Sequence, residues 1–106
     1  MDLKTPAGYD VARRLVLGAD VVIENFRPGV MERLGLGPVA MTAANPRLIY
    51  CSIPGFASDD PRAALPAWEG VVAAATATYR ANPRNGRPVY TPLPFSSSYA
   101  AFLAAT

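Results

Sequence analysis

Two short apolar runs constrain this chain most. Val21-Val22-Ile23 and Leu48-Ile49-Tyr50-Cys51-Ser52-Ile53 are rich in strand-forming residues, with Asp20 before the first and Pro54-Gly55 after the second. Runs of this kind suit strands buried on both faces of a parallel sheet. Parallel strands need a long crossover, usually helical. The interval supplies one. Pro28-Gly29 opens a helix through Met31 and Leu34 that Gly35 or Gly37 ends, and a further short helix spans Pro38 to Ala44, stopped by Pro46. Ahead of the first run, Thr5 is a hydroxyl cap with Pro6 at the first helical position. Val11, Ala12, Leu15 and Val16 follow at helical spacing, and Gly18 is the stop. The order helix, strand, helix, helix, strand predicts an α/β fold, a parallel sheet with covering helices.

The second half is less regular. Residues 57–66 carry an Asp59-Asp60-Pro61 turn, and Trp68 to Tyr79 is alanine-rich and predicted helical. Residues 80–92 form a polar connection broken by prolines, after which Ser96-Ser97-Ser98 is expected to cap a last helix, Tyr99 to Ala105. One organisation follows: a sheet-and-helix core over about 1–56, then an irregular link and helices over about 57–106. Two strands do not make a self-sufficient parallel sheet, so the expectation is a partial domain, incomplete at both ends or dependent on a partner.

Composition removes several functions. With 106 residues the chain can bury a usable core, but a net charge of +2 lacks the dense basic face that nucleic acid demands. Arg80, Arg84 and Arg87 sit in a turn-rich stretch where charges are ordinarily solvated. No apolar run approaches the ~20 residues of a membrane span, so no membrane partner is expected. The single Cys51 rules out an internal disulfide and suits a reducing, cytoplasmic setting; mid-strand it also lacks the electropositive, exposed surroundings of a reactive thiol. There is no histidine, so histidine acid–base catalysis and histidine-ligated metal sites are excluded within this chain, and no metal is expected.

One stretch looks built to hold something: DVVIENFRPGVMERLGLG, residues 20–37. Ligands of parallel sheets bind outside the carboxyl ends of the strands, which is where Asn25, Phe26 and Arg27 fall, with Arg33 on the helix that follows. From the residues alone, Arg27 and Arg33 read more readily as solvated charges flanking a helix, with Phe26 in the core.

The stretch MDLKTPAGYDVARRLVLGADVVIENFRPGVMERLGLG, with NPRLIYCSIPGF after it, resembles the family III CoA-transferases, the group that includes formyl-CoA and carnitine-CoA transferases and the α-methylacyl-CoA racemases. The resemblance implies a Rossmann-like domain within an interlocked homodimer, and CoA thioesters and carboxylic acids as substrates. It also implies CoA contacts at Leu3, Lys4, Asn25, Phe26, Arg27 and Arg33. CoA carries a pyrophosphate and a ribose phosphate, for which cations are natural partners.

Family transferases use an aspartate that becomes acylated as a mixed anhydride and then carries CoA as a thioester. The resemblance places that residue within PLPFSSSYAAFLAA, near Ser97, and no acid stands anywhere in that window. Ser97 would need a base, and Glu69 is the acid nearest in sequence. The serine run is expected instead to serve as a helix cap, which leaves the chain without a catalytic residue of its own. The racemase branch pairs a histidine with the same aspartate, and Trp68 stands at the histidine position, so racemisation is disfavoured. Trp68 is expected to wall an acyl pocket or to pack in the core. Two functions remain. One is a segment of an acyl-CoA transferase with serine in place of its nucleophile; the other is a non-catalytic structural or partner-binding module of the same fold.

Overall fold

The computed structural model describes residues 2–89 and 93–106; the last three residues of the expected 80–92 connection lie outside them. The chain forms two compact units, residues 1–54 and 55–106.

In the first unit, α1 (Pro6–Leu17) begins as its sequence dictates. The Thr5 side chain accepts a hydrogen bond from the Gly8 N–H, Pro6 fills the first helical position and Gly18 caps the end. Strand β1 (Val21–Glu24) pairs in parallel with β2 (Ile49–Ser52), in the register Val21 to Ile49 and Ile23 to Cys51. Between them lie a single-turn helix α2 (Val30–Arg33) and α3 (Pro38–Ala44). At the end of α3, Asn45 donates from Nδ2 to the Leu17 carbonyl at 3.2 Å, which satisfies an acceptor that the end of α1 leaves open.

The core gathers Ala12, Met31, Leu36, Met41 and Leu48, with Leu3, Tyr9, Val16, Leu17, Val22, Leu34 and Tyr50 packed against it. All three helices contribute to one face of the sheet, the face of Val22 and Tyr50. Within this chain the helices cover only that face of the sheet. Val21, Ile23 and Ile49 occupy the opposite face and are 48%, 62% and 63% exposed. An apolar run cannot say which of its faces a helix will cover, since both faces are apolar. The helical stripe needs a correction: Tyr9, Ala12, Val16 and Leu17 face the core, while Val11 and Leu15 are exposed.

The second unit opens at a close approach. A Cβ on Gly55 would collide with the side chain of Ala67, so the chain crosses itself at a point that only glycine fits. Phe56 is buried beneath the Arg62 guanidinium, 5.1 Å above its ring, and Arg62 pairs with Asp60 at 2.7 Å. Helix α4 (Glu69–Ala75) is shorter than the expected Trp68 to Tyr79. It ends where Ala77 takes a left-handed φ of 56° and Thr78 donates back to the Ala73 carbonyl. The expected polar connection contains a small antiparallel hairpin, β3 (Arg80–Ala81) with β4 (Pro88–Val89), turned at Gly86 with φ 67°. Helix α5 (Phe95–Ala104) starts four residues before the expected Tyr99, so the serines lie inside its first turn rather than ahead of it. No described helix is long and apolar enough to cross a membrane.

Candidate functional site

The carboxyl end of β1 and the loop after it form the first candidate surface. Asn25, Phe26 and Arg27 follow the last strand residue directly, and the turn is shaped locally: the Phe26 N–H donates to Glu24 Oε2 at 2.8 Å. Gly29 then adopts a φ of 79°, which opens α2 and brings Arg33 into play one turn later. Arg33 Nη1 lies within 3.2 Å of where a Gly29 Cβ would stand, so its guanidinium folds back over the turn. A side chain at residue 29 would be strained and would also crowd that guanidinium.

Phe26 is 49% exposed, so the reading that places it in the core is corrected. Its ring projects from a turn whose backbone is committed to Glu24. Asn25, Arg27 and Arg33 are exposed, and their side chains make no hydrogen bond or ion pair among the described residues. Lys4 is likewise exposed, in the turn before α1, where its N–H donates to Asp2 Oδ1 at 2.9 Å and its ammonium is unengaged among the described residues. Leu3 turns inward against the core. The structure thus gathers Asn25, Phe26, Arg27 and Arg33 around one turn, and it sets Leu3 and Lys4 at the entry to α1.

The Gly35-Leu36-Gly37 segment behind α2 is anchored by Tyr50, whose hydroxyl donates to the Leu36 carbonyl at 3.0 Å. Burial, then the nearby carboxylates of Glu24 and Glu32, push the Tyr50 phenol above its ordinary value, which keeps it a donor.

The second candidate surface, in the unit of residues 55–106, involves Ser97, Glu69 and Trp68, whose arrangement the sequence did not reveal. Glu69 begins α4 and its carboxylate reaches the first turn of α5. Oε1 accepts from the Ser96 N–H at 2.8 Å, and Oε2 accepts from the Ser97 N–H at 3.0 Å and from Ser97 Oγ at 2.6 Å. Residue 94 at the N-cap of α5 is proline, with no side-chain acceptor, so the second and third amides of the helix would otherwise be open. Glu69 supplies the missing cap from another helix. The Ser97 hydroxyl first, then the Ser96 N–H, hold its carboxyl below the usual range, with Ser97's own N–H adding to the effect. The expected roles of the serines are thereby corrected. They do not cap α5 with their side chains; they bind the carboxylate that does.

Trp68 does not pack in a core: it is 71% exposed. With Pro66, Gly70, Val71, Ala74 and Tyr79 it lines an open, mostly apolar groove of about 680 Å³. Tyr79 closes one side, its hydroxyl donating to the Gly70 carbonyl at 3.0 Å. No group of three or more His, Cys, Asp or Glu that could hold a metal ion occurs among the described residues.

A parallel strand pair with helices packed on one face, and an exposed cationic turn at its carboxyl end, defines an α/β protein. The chain belongs to CoA-transferase family III, whose family model matches residues 1–106. It is 46% identical over its whole length to the CoA-transferase/lyase DddD of Marinomonas sp. (strain MWYL1), of which it spans 13%. It is 38% identical, over 94% of its length, to the human alpha-methylacyl-CoA racemase, of which it spans 26%. Among solved structures it is similar to the hypothetical protein Rv3272 of Mycobacterium tuberculosis, with a TM-score of 0.88 and 36% identity, over 99% of this chain and 30% of that one. The chain therefore corresponds to less than a third of each of these proteins.

Proposed function

We propose that this chain belongs to an acyl-CoA transferase, a protein that binds CoA thioesters and moves CoA between carboxylic acids. The observation that carries the reading is the turn after β1. Asn25, Arg27 and Arg33 stand exposed there, their side chains unengaged among the described residues, with the Arg33 guanidinium folded over Gly29. Unpaired cations at a strand end suit the phosphates of CoA, and an exposed Phe26 ring suits stacking on its adenine. Lys4 and Leu3, at the entry to α1, complete the CoA contacts that the family resemblance implies. Similarity to a CoA-transferase/lyase supports the substrate class. The absence of histidine argues against the racemase chemistry that the name of another relative carries. A homodimer and a cytoplasmic location belong to the same reading, the latter supported by the single unpaired Cys51.

The test is titration of CoA into the wild-type protein and Arg33→Ala by calorimetry. A charge-assisted phosphate contact is worth ~1.5–3 kcal/mol, so affinity should fall roughly ten- to a hundredfold. Equal affinities would refute the assignment. A second reading, a non-catalytic module of the same fold, is favoured by one observation: serine stands where the family nucleophile is expected, and residues 93–102 contain no acid.

A further inference from the structure

We propose that Glu69 is the acyl-accepting carboxylate of this chain, presented at the first turn of α5 by Ser96 and Ser97. The inference rests on the transferase reading above and assigns a residue to it. The 93–102 segment contains no acid of its own, yet a carboxylate occupies its first turn. It arrives from α4, and both of its oxygens are fixed by the two serines nearest the expected nucleophile position. No cation pairs with it among the described residues, where the single ion pair is Arg62 with Asp60. Its charge is balanced by hydrogen-bond donors alone, and Glu69 is half-buried, with part of its surface open to a ligand. The apolar groove lined by Trp68, Gly70 and Val71 opens at the same end of α4, on a neighbouring face, and offers a place for the hydrocarbon part of an acyl group.

The donors have defined tasks. Oε2 attacks the thioester carbonyl carbon; a C–O bond forms, the C–S bond breaks, and CoA leaves as its thiolate. The negative charge of Glu69 passes to sulfur, and no proton changes hands. The Ser97 hydroxyl releases Oε2 as that oxygen gives up its electron pair. The thiolate then attacks the glutamyl carbonyl carbon, the first acid leaves as a carboxylate, and CoA is held as a glutamyl thioester until a second carboxylate reverses the sequence. Through this second step Oε1 carries the developing negative charge, and the Ser96 N–H at 2.8 Å is aimed at it. Hydrogen bonds that hold the carboxyl below its usual range also keep Glu69 ionised at neutral pH. Ser97 is a positioning residue on this account. It needs no general base, because it is not the nucleophile.

The test uses the protein at its full natural length. It is incubated with acetyl-CoA or butyryl-CoA, quenched with hydroxylamine and digested, and the peptides are read by mass spectrometry, with CoA binding measured in parallel by calorimetry. The expected result is a glutamyl hydroxamate at residue 69, lost in Glu69→Gln and retained at reduced yield in Ser97→Ala. CoA binding with no modification at residue 69, or an acyl ester on Ser96, Ser97 or Ser98, would overturn the assignment and leave the transferase reading standing. No CoA binding at all would overturn both.

Discussion

Tyr50→Phe isolates one interaction that shapes the cationic turn. The substitution removes the hydroxyl that donates to the Leu36 carbonyl at 3.0 Å and leaves the ring packed against the same core. A neutral hydrogen bond contributes about 0.5–1.5 kcal/mol net, and a buried acceptor left unsatisfied costs about 1–3 kcal/mol. Leu36 is only 2% exposed, which favours the upper figure, but Tyr50 is half-buried and water can replace part of the lost bond. The expected loss is therefore about 1–2 kcal/mol, read as a lower urea midpoint by far-UV circular dichroism with an unchanged slope. The pH dependence supplies a second readout with a definite sign. The folded-state value of the Tyr50 phenol lies above its ordinary 10.0, so above pH 10 the folded state holds a proton that the unfolded state has released. Tyr50's contribution should be fully present below pH 10 and be lost as pH rises further, and Tyr50→Phe should lack that alkaline decline. Equal midpoints for the two proteins, or an alkaline decline unchanged by the substitution, would refute the anchoring role.

Asp60, hydrogen-bonded by the Arg62 guanidinium and N–H, is held down at about 2 from 3.8. It should add stability above pH 4 that is lost as pH falls toward 2, and thermal unfolding of Asp60→Asn should be flatter across that window. At Gly55 the chain has no room for a Cβ against Ala67, so Gly55→Ala should cost about 1–3 kcal/mol by denaturant unfolding, whereas Gly86→Ala, with open space around it, should show only the modest cost of its positive φ.

Several element ends in the first unit are legible locally. Thr5-Pro6 and Gly18 mark α1, and Pro38 with Pro46 bounds α3, because caps and prolines act on their immediate neighbours. The ENFRPGVMERLG stretch likewise carried the family, and its residues sit around one turn because they are close in sequence. The remainder required the tertiary structure. Two apolar strands do not reveal that the helices cover the Val22 and Tyr50 face and leave Ile23 and Ile49 outside; only the crossover geometry decides that. The hairpin of Arg80–Ala81 with Pro88–Val89 is too short for any periodic signal. The clearest case is Glu69. Its hydrogen bonds to Ser96 and Ser97 span 27 and 28 positions, and no spacing rule links an acid at the start of one helix to open amides at the start of another. The chain determined by itself that residues 93–102 hold no carboxylate. That a carboxylate nonetheless stands at the head of α5 was decided by the packing of α4 against it, since two helix ends brought together can satisfy donors that neither can satisfy alone.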